Sequence, residues 1–407
     1  MRDKARSSEF SAPAGWIPAL GWTTPCILLP LVMRRVLLAV VLWQVACAAT
    51  ALSAGQAPAS PTVRPPAPRT GAEIYRDACV TCHAPDGRGA PQPVVGFDTP
   101  LPDFTNCAFA SGEPDPDWYA VVHRGGPVRG LDRHMPAFGD VLSPREIELA
   151  ISHVRTFCGD PRWPRGDLNF PRAFFTEKAF PENEAVWETT FAGGSEAAVG
   201  NALIFERRIG SRSQLELMVP LDLQRLEDGE WRAGLGDVAV AFKRSLFASL
   251  EHGRIGAAGA ELILPTGQES RELDNGFAIV EPFAMWGQAL PRSSFLQMHG
   301  GIELPTDTTR GGREAFLRTA IGTTFAQDQG FGRAWSPQVE VLWARPQGES
   351  SEWDVVPQLQ ITLSKLQHVM VAGAVRIPVT QRSERPTQAL VYLLWDWYDG
   401  SFFDFWK

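Results

Sequence analysis

Two hydrophobic periods divide this chain. Between about residues 70 and 160 apolar positions recur at helical spacing: Ile74, Tyr75 and Ala78 lie on one side, and Ile147, Ala150, Ile151 and Val154 form a stripe. Each stretch opens on a hydroxyl residue followed three positions later by glutamate, Thr70 with Glu73 and Ser143 with Glu146, and Pro144 takes the first helical position of the second. These signals predict two helices, the later packing on the earlier, with DWYAVVHRG as a further helix between them.

From Glu184 onward the helical period is lost and strand-like segments follow one another, from EAVWETTFAG through SQLELMVPLDL and SPQVEVLWARP to QALVYLLWDW. About twelve can be counted, each near the roughly 9 to 11 residues that a tilted strand needs to cross a bilayer. Leu215, Leu217 and Val219 oppose Glu216 and Met218, while Val339, Val341 and Trp343 oppose Glu340 and Leu342. Charged stretches such as RLEDGE, GQESRELDNG and RPQGESSEWD separate the segments, aromatic residues gather near segment ends, and a final aromatic segment runs to YDGSFFDFWK. The pattern predicts an all-β antiparallel up-and-down barrel of about 12 strands in an outer membrane, with aromatic girdles at its rims. A β-sandwich is the alternative for the same alternation.

The expected organisation is multi-domain. Residues 1–54 read as an upstream extension and a secretory signal peptide starting at Met33: Arg34 and Arg35, the apolar run Val36 to Ala51, then Ser53 and Ala54. The run falls short of the roughly 20 residues of a spanning helix, and Gln44 argues against lipidation at Cys47. Residues 55–69, rich in proline and alanine, read as an extended linker; 70–160 as a small all-α domain; 161–183 as a connector; and 184–407 as the β domain. A formal net charge of −8 argues against a nucleic-acid partner.

The strongest chemical signal is CVTCH, Cys79 to His83. Two thiols three positions apart followed by an imidazole suit one covalently attached c-type haem, with thioethers from Cys79 and Cys82 and His83 as proximal iron ligand. A thioredoxin-like site would need a βαβ context, and zinc would need two further ligands close by; neither is present in the sequence around the motif. Downstream, Pro85, Gly87 and Gly89 of PDGRG end the helix.

With these residues in place, Thr70 to about Asp160 resembles the monohaem class I cytochrome c family. The resemblance implies that Met135, in RHMPAFGD, is the distal iron ligand, an arrangement that favours ferrous iron and suits an electron carrier. Pro136 restrains Met135 to an extended conformation. The alternatives are a bis-histidine site completed by His134 or His123, or an open position. Trp118, Tyr119, Arg88 and Arg124 could contact haem propionates, but aromatic packing and solvated arginines are the expected roles. Because c-type haem is attached outside the cytoplasm in this family, Cys107 and Cys158 are expected to be bridged, tying a strand before the distal segment to the end of the last helix and contributing on the order of 4 kcal/mol; two separate buried thiols are the alternative.

GLGDVAVAFKRSLF and ELILPTGQES look like the paired GxGD and LPTG elements of outer-membrane channels related to the phenol meta-pathway family, over roughly Glu184 to Lys407. Together the two resemblances imply electron transfer by a periplasmic haem domain, exported by the signal peptide and anchored to an outer-membrane barrel that can also act as a channel. Its partners would be periplasmic redox proteins and outer-membrane lipid, and the chain would carry electrons without turning over a substrate of its own. A haem-linked oxidoreductase and a porin with a docking cytochrome are the alternatives. His252, His299 and His368 are scattered in sequence and read as ordinary packing or surface residues.

Overall fold

Reciprocal capping starts both principal helices of the N-terminal half. The Thr70 N–H donates to the Glu73 carboxylate at 2.7 Å and Glu73 N–H donates back to the Thr70 hydroxyl at 3.3 Å, which opens α1, Gly71–Ala78. Ser143 and Glu146 repeat the exchange, at 2.9 and 3.4 Å, ahead of α3, Pro144–Val154. Between them α2, Asp115–Arg124, follows Pro114. Helix α1 packs on α3 so closely that a Cβ at Gly71 would stand 2.1 Å from the Leu149 carbonyl oxygen, so only glycine fits. Ile74, Leu142, Ile147, Ala150 and Ile151 form the core there, with Trp118, Tyr119 and Phe138 packed against it.

The computed structural model describes residues 68–193, 198–225, 230–267 and 275–397. The expected leader with Met33 and Cys47, most of the linker and the terminal YDGSFFDFWK lie outside the described residues. Cys107 and Cys158 are joined in a disulfide with Cα atoms 5.1 Å apart. Where a strand was expected at Cys107, the chain makes a helical turn, Cys107–Ala110, because the Asn106 side chain accepts the Ala108 N–H at 3.1 Å and caps it.

The second half is a closed antiparallel barrel. Its strands are β1 (Glu184–Ala192), β2 (Ala198–Ile209), β3 (Ser213–Arg225), β4 (Trp231–Leu235), β5 (Ala239–Ser249), β6 (Arg254–Ile263) and β7 (Ile279–Leu290). They continue as β8 (Ser294–Pro305), β9 (Glu314–Thr323), β10 (Phe325–Ala326), β11 (Ala334–Pro346), β12 (Glu352–Thr362), β13 (Val369–Pro378) and β14 (Gln388–Asp396). Strands β4 and β5 both pair with β3, and β9 and β10 both pair with β11, so these segments occupy twelve positions around the ring. Pairing of β1 with β14, Glu184 opposite Asp396 through Ala192 opposite Gln388, closes the ring and excludes a sandwich.

Alternation along the strands is inverted relative to a water-soluble protein. Outward-facing Trp187 and Leu217 are 46% and 42% exposed, and Phe242, Ile321, Val341 and Leu393 share that surface. Inward-facing Glu206 and Glu340 are fully buried, in company with Gln214, Gln297, Asp354 and Gln358. Among the described residues no helix is long and apolar enough to cross a membrane; the barrel wall offers its apolar surface through strands instead.

The connector of residues 161–183 is no surface tether. From Leu168 it enters the barrel and returns to the same mouth, where β1 begins. Phe174 packs among Val186, Leu342, Val356, Leu390 and Tyr392 from one side of the ring. Leu168, Phe170, Ala179 and Phe180 pack on Ile255, Ala257, Met285 and Phe295 from the other.

Candidate functional site

Cys79 ends α1 and the short turn Val80–His83 follows at once, with Ala84 in the left-handed region at φ 60° to reverse the chain. The turn is fixed by main-chain bonds: Tyr75 donates its hydroxyl hydrogen to the carbonyls of His83 and Ala84 at 3.1 and 2.7 Å, and Ala90 N–H donates to the Cys82 carbonyl at 2.7 Å. Gly87, at φ +76°, lies so near the Phe157 ring that a Cβ would come within 2.7 Å of it.

Both thiols of the motif are free and half-buried. Burial, and then the neighbouring Cys82, push the Cys79 thiol up to about 11. The His83 ring stacks on Phe104 with centroids 4.9 Å apart, and its Nδ1 is buried with no hydrogen-bond partner. Burial lowers the imidazole to about 4, leaving it neutral near physiological pH, the form that binds a metal. Two free sulfurs presented by one turn, beside a neutral imidazole with an orphaned nitrogen, fit a covalently held metalloporphyrin.

Met135 lies on the loop after α2, half-exposed, with its carbonyl accepting from Gly126 N–H at 3.0 Å. The two alternative histidines lie close to Met135 in sequence, and each packs on an aromatic ring. His134 Nδ1 is 2.7 Å from Asp132 Oδ1 and its ring stacks on Phe97 at 4.3 Å. His123 is sandwiched between Tyr119 and Phe331, at 5.6 and 4.9 Å. Arg88 pairs loosely with Asp86 and Asp103, at 3.7 and 3.9 Å. Trp118 carries the Arg155 guanidinium over its face at 4.0 Å.

The helical domain and the barrel mouth belong to one compact unit from Arg69 onward. Phe331, on the turn between β10 and β11, inserts beside Tyr119 and His123 with Arg124 over its ring at 4.5 Å, and its carbonyl accepts from Arg129 at 2.7 Å. Buried Arg129 is in turn held by Asp117 at 2.8 Å. On the turn between β12 and β13, His368 has Nε2 2.6 Å from Glu113 and Nδ1 3.3 Å from Asp396. Arg165 bridges Asp115 and Asp167, at 2.5 and 3.0 Å, where the chain leaves the helical domain. Period and spacing gave no sign of this contact; the one available signal was the position of His368 and Phe331 between strands.

Residues 66–154 match the family described as cytochrome c oxidase, cbb3-type, subunit III. The helical half is thus a cytochrome c domain, a class that implies haem and electron transfer. No curated protein matches the chain. Among solved structures, an outer-membrane channel from Pseudomonas putida F1 is similar at TM-score 0.41 and 11% identity, covering 56% of this chain and 100% of that one. KdgM porin follows at TM-score 0.36 and 10% identity, covering 53% and 99%, and LpxR from Salmonella typhimurium at 0.35 and 9%, covering 53% and 100%.

Proposed function

We propose that this chain is an electron carrier whose single c-type haem, bound through Cys79 and Cys82 and ligated by His83 and Met135, is held in the periplasm at the mouth of an outer-membrane barrel. The CVTCH turn carries the reading: its two thiols are free and its imidazole is neutral with a buried unpartnered nitrogen. When bound, the haem supplies one-electron exchange. The chain's own residues fix the turn through Tyr75 and shield His83 with Phe104, while Asp132 orients His134 and Phe331 packs on His123.

The periplasmic assignment rests on the barrel's two ends. At the cytochrome end the connections 210–212, 250–253 and 291–293 are short and 324–333, which carries Phe331, is longer; at the other end 306–313 and 379–387 are long. Outer-membrane barrels keep short turns on the periplasmic side. The apolar wall would face outer-membrane lipid, a signal peptide beginning at Met33 would export the chain, and periplasmic redox proteins would exchange electrons with the domain.

Two measurements test this reading. Pigment should remain on the polypeptide after extraction with acidified organic solvent, and a Cys79→Ser, Cys82→Ser variant should lose it; pigment that washes out of the unaltered protein overturns covalent attachment. The mature chain should fractionate with outer membrane and show heat-modifiable gel mobility; free solubility in periplasmic extract overturns the barrel's placement.

A further inference from the structure

We propose that the segment from Leu168 to Glu182 is a re-entrant plug that keeps the barrel closed, so that the barrel anchors the cytochrome domain and passes no solutes while the segment is seated. This rests on the reading above that the barrel spans a membrane.

The seat is built for this segment. Glu340 of β11, fully buried, accepts three successive main-chain N–H groups, from Phe174 at 2.9 Å, Phe175 at 3.1 Å and Thr176 at 2.7 Å, together with the Thr176 hydroxyl at 2.7 Å. A carboxylate receiving that many donors recognises one backbone conformation rather than a general positive charge. Gln358 of β12 donates to the same carboxylate at 2.6 Å. The Arg172 guanidinium reaches Glu184 and Glu206 at 2.7 and 2.6 Å, while its carbonyl accepts from Gln338 and from Tyr392 Oη, both at 2.9 Å. Lys243 of β5 donates to the Lys178 carbonyl at 2.7 Å, Gln214 of β3 accepts Glu182 N–H at 2.7 Å, Gln297 of β8 donates to the Pro171 carbonyl at 2.9 Å, and Arg376 of β13 lies over the Phe175 ring at 5.0 Å.

Partners thus come from opposite walls of the ring, and the two apolar flanks led by Phe174 and Phe180 fill the space between. A cavity of about 190 Å³ lies at the mouth, with Glu113 and Asp117 of the cytochrome domain, Arg172 and Lys178 of the segment, and His368 and Asp396 of the barrel among its lining residues. Both ends of the segment lie at that mouth, so it can withdraw without any strand parting.

The test is conductance of the purified full chain in planar lipid bilayers. The unaltered protein should stay closed. Replacing 168–182 by a glycine-serine linker of equal length should open it, and Glu340→Ala should raise open probability about tenfold or more, the change that follows from losing about 1.4 kcal/mol of seating energy. Heat-modifiable mobility and retained haem pigment certify that each variant is folded. A steadily conducting unaltered protein, or a folded linker variant that stays closed, overturns the plug while leaving the membrane barrel intact; loss of heat-modifiability in the unaltered chain overturns the barrel itself.

Discussion

His368 of the barrel and Glu113 of the cytochrome domain, 255 positions apart in sequence, meet with Nε2 and Oε1 at 2.6 Å. The imidazole is almost fully buried and reaches Asp396 on its other side. His368→Ala leaves two carboxylates in a buried site without their partner, and losing one member of such a buried pair costs about 3 to 5 kcal/mol. The cytochrome domain should then loosen from the mouth, seen as faster hydrogen exchange around Glu113 to Arg124. Glu113→Gln in the same background should restore part of the protection; unchanged exchange in His368→Ala would remove this pair from the docking contact.

Met135 is the proposed distal ligand, with His134 and His123 as the alternatives. Met135→Ala should abolish the methionine–iron charge-transfer absorption of the oxidised protein, whereas His134→Ala should keep it. Persistence of the band in Met135→Ala refutes the assignment.

Hydrogen bonds from Ser143 N–H, then from Arg69 and the Ser143 hydroxyl, hold the exposed Glu146 carboxyl down to about 2 against an ordinary 4.5. A carboxyl lowered by folding stabilises the folded state above its ordinary range and ceases to do so as pH falls through its lowered value. Denaturant midpoints of the haem absorbance should therefore be insensitive to this group above 4.5 and decline toward about 2. Glu146→Gln should lower the midpoint near neutrality and flatten that acid decline; an identical acid profile in the variant would contradict the role given to the cap.

Because a Cβ at Gly71 would collide with the main-chain oxygen of Leu149 at 2.1 Å, no side-chain rearrangement can relieve it. Gly71→Ala should destabilise the cytochrome domain by about 1 to 3 kcal/mol, the usual range for overpacking, read as a lower thermal midpoint of the haem band with barrel mobility on gels unchanged.

Local signals were legible in the sequence and distant ones were not. Both capping boxes act within four residues, and the strand alternation of Leu215 to Val219 and of Val339 to Trp343 maps directly onto outward and inward faces. Strand β4 went unread because Gly236 to Val238 break it from β5 and it follows the charged RLEDGE stretch. The helical turn at Cys107 has a local signal in Asn106, a good N-cap. The plug resisted reading for a deeper reason: NFPRAFFTEKAF has no period, and its partners Glu340, Gln338 and Tyr392 lie more than a hundred residues downstream. A charged residue such as Arg172 or Lys178 looks solvated until the opposite wall is known. His368 looked ordinary for the same reason.

The outward apolar wall also decides which solvents the folded chain requires. On the proposed membrane reading hydrocarbon wets Trp187, Phe242, Ile321 and Leu393, while the cytochrome domain at one end carries a charged surface, Arg88, Arg133 and Glu148 among it, that only water can satisfy. A polypeptide with such unlike ends behaves as an amphiphile along its length: one tilt at a lipid–water boundary meets both demands, and any other strips one half of its proper medium.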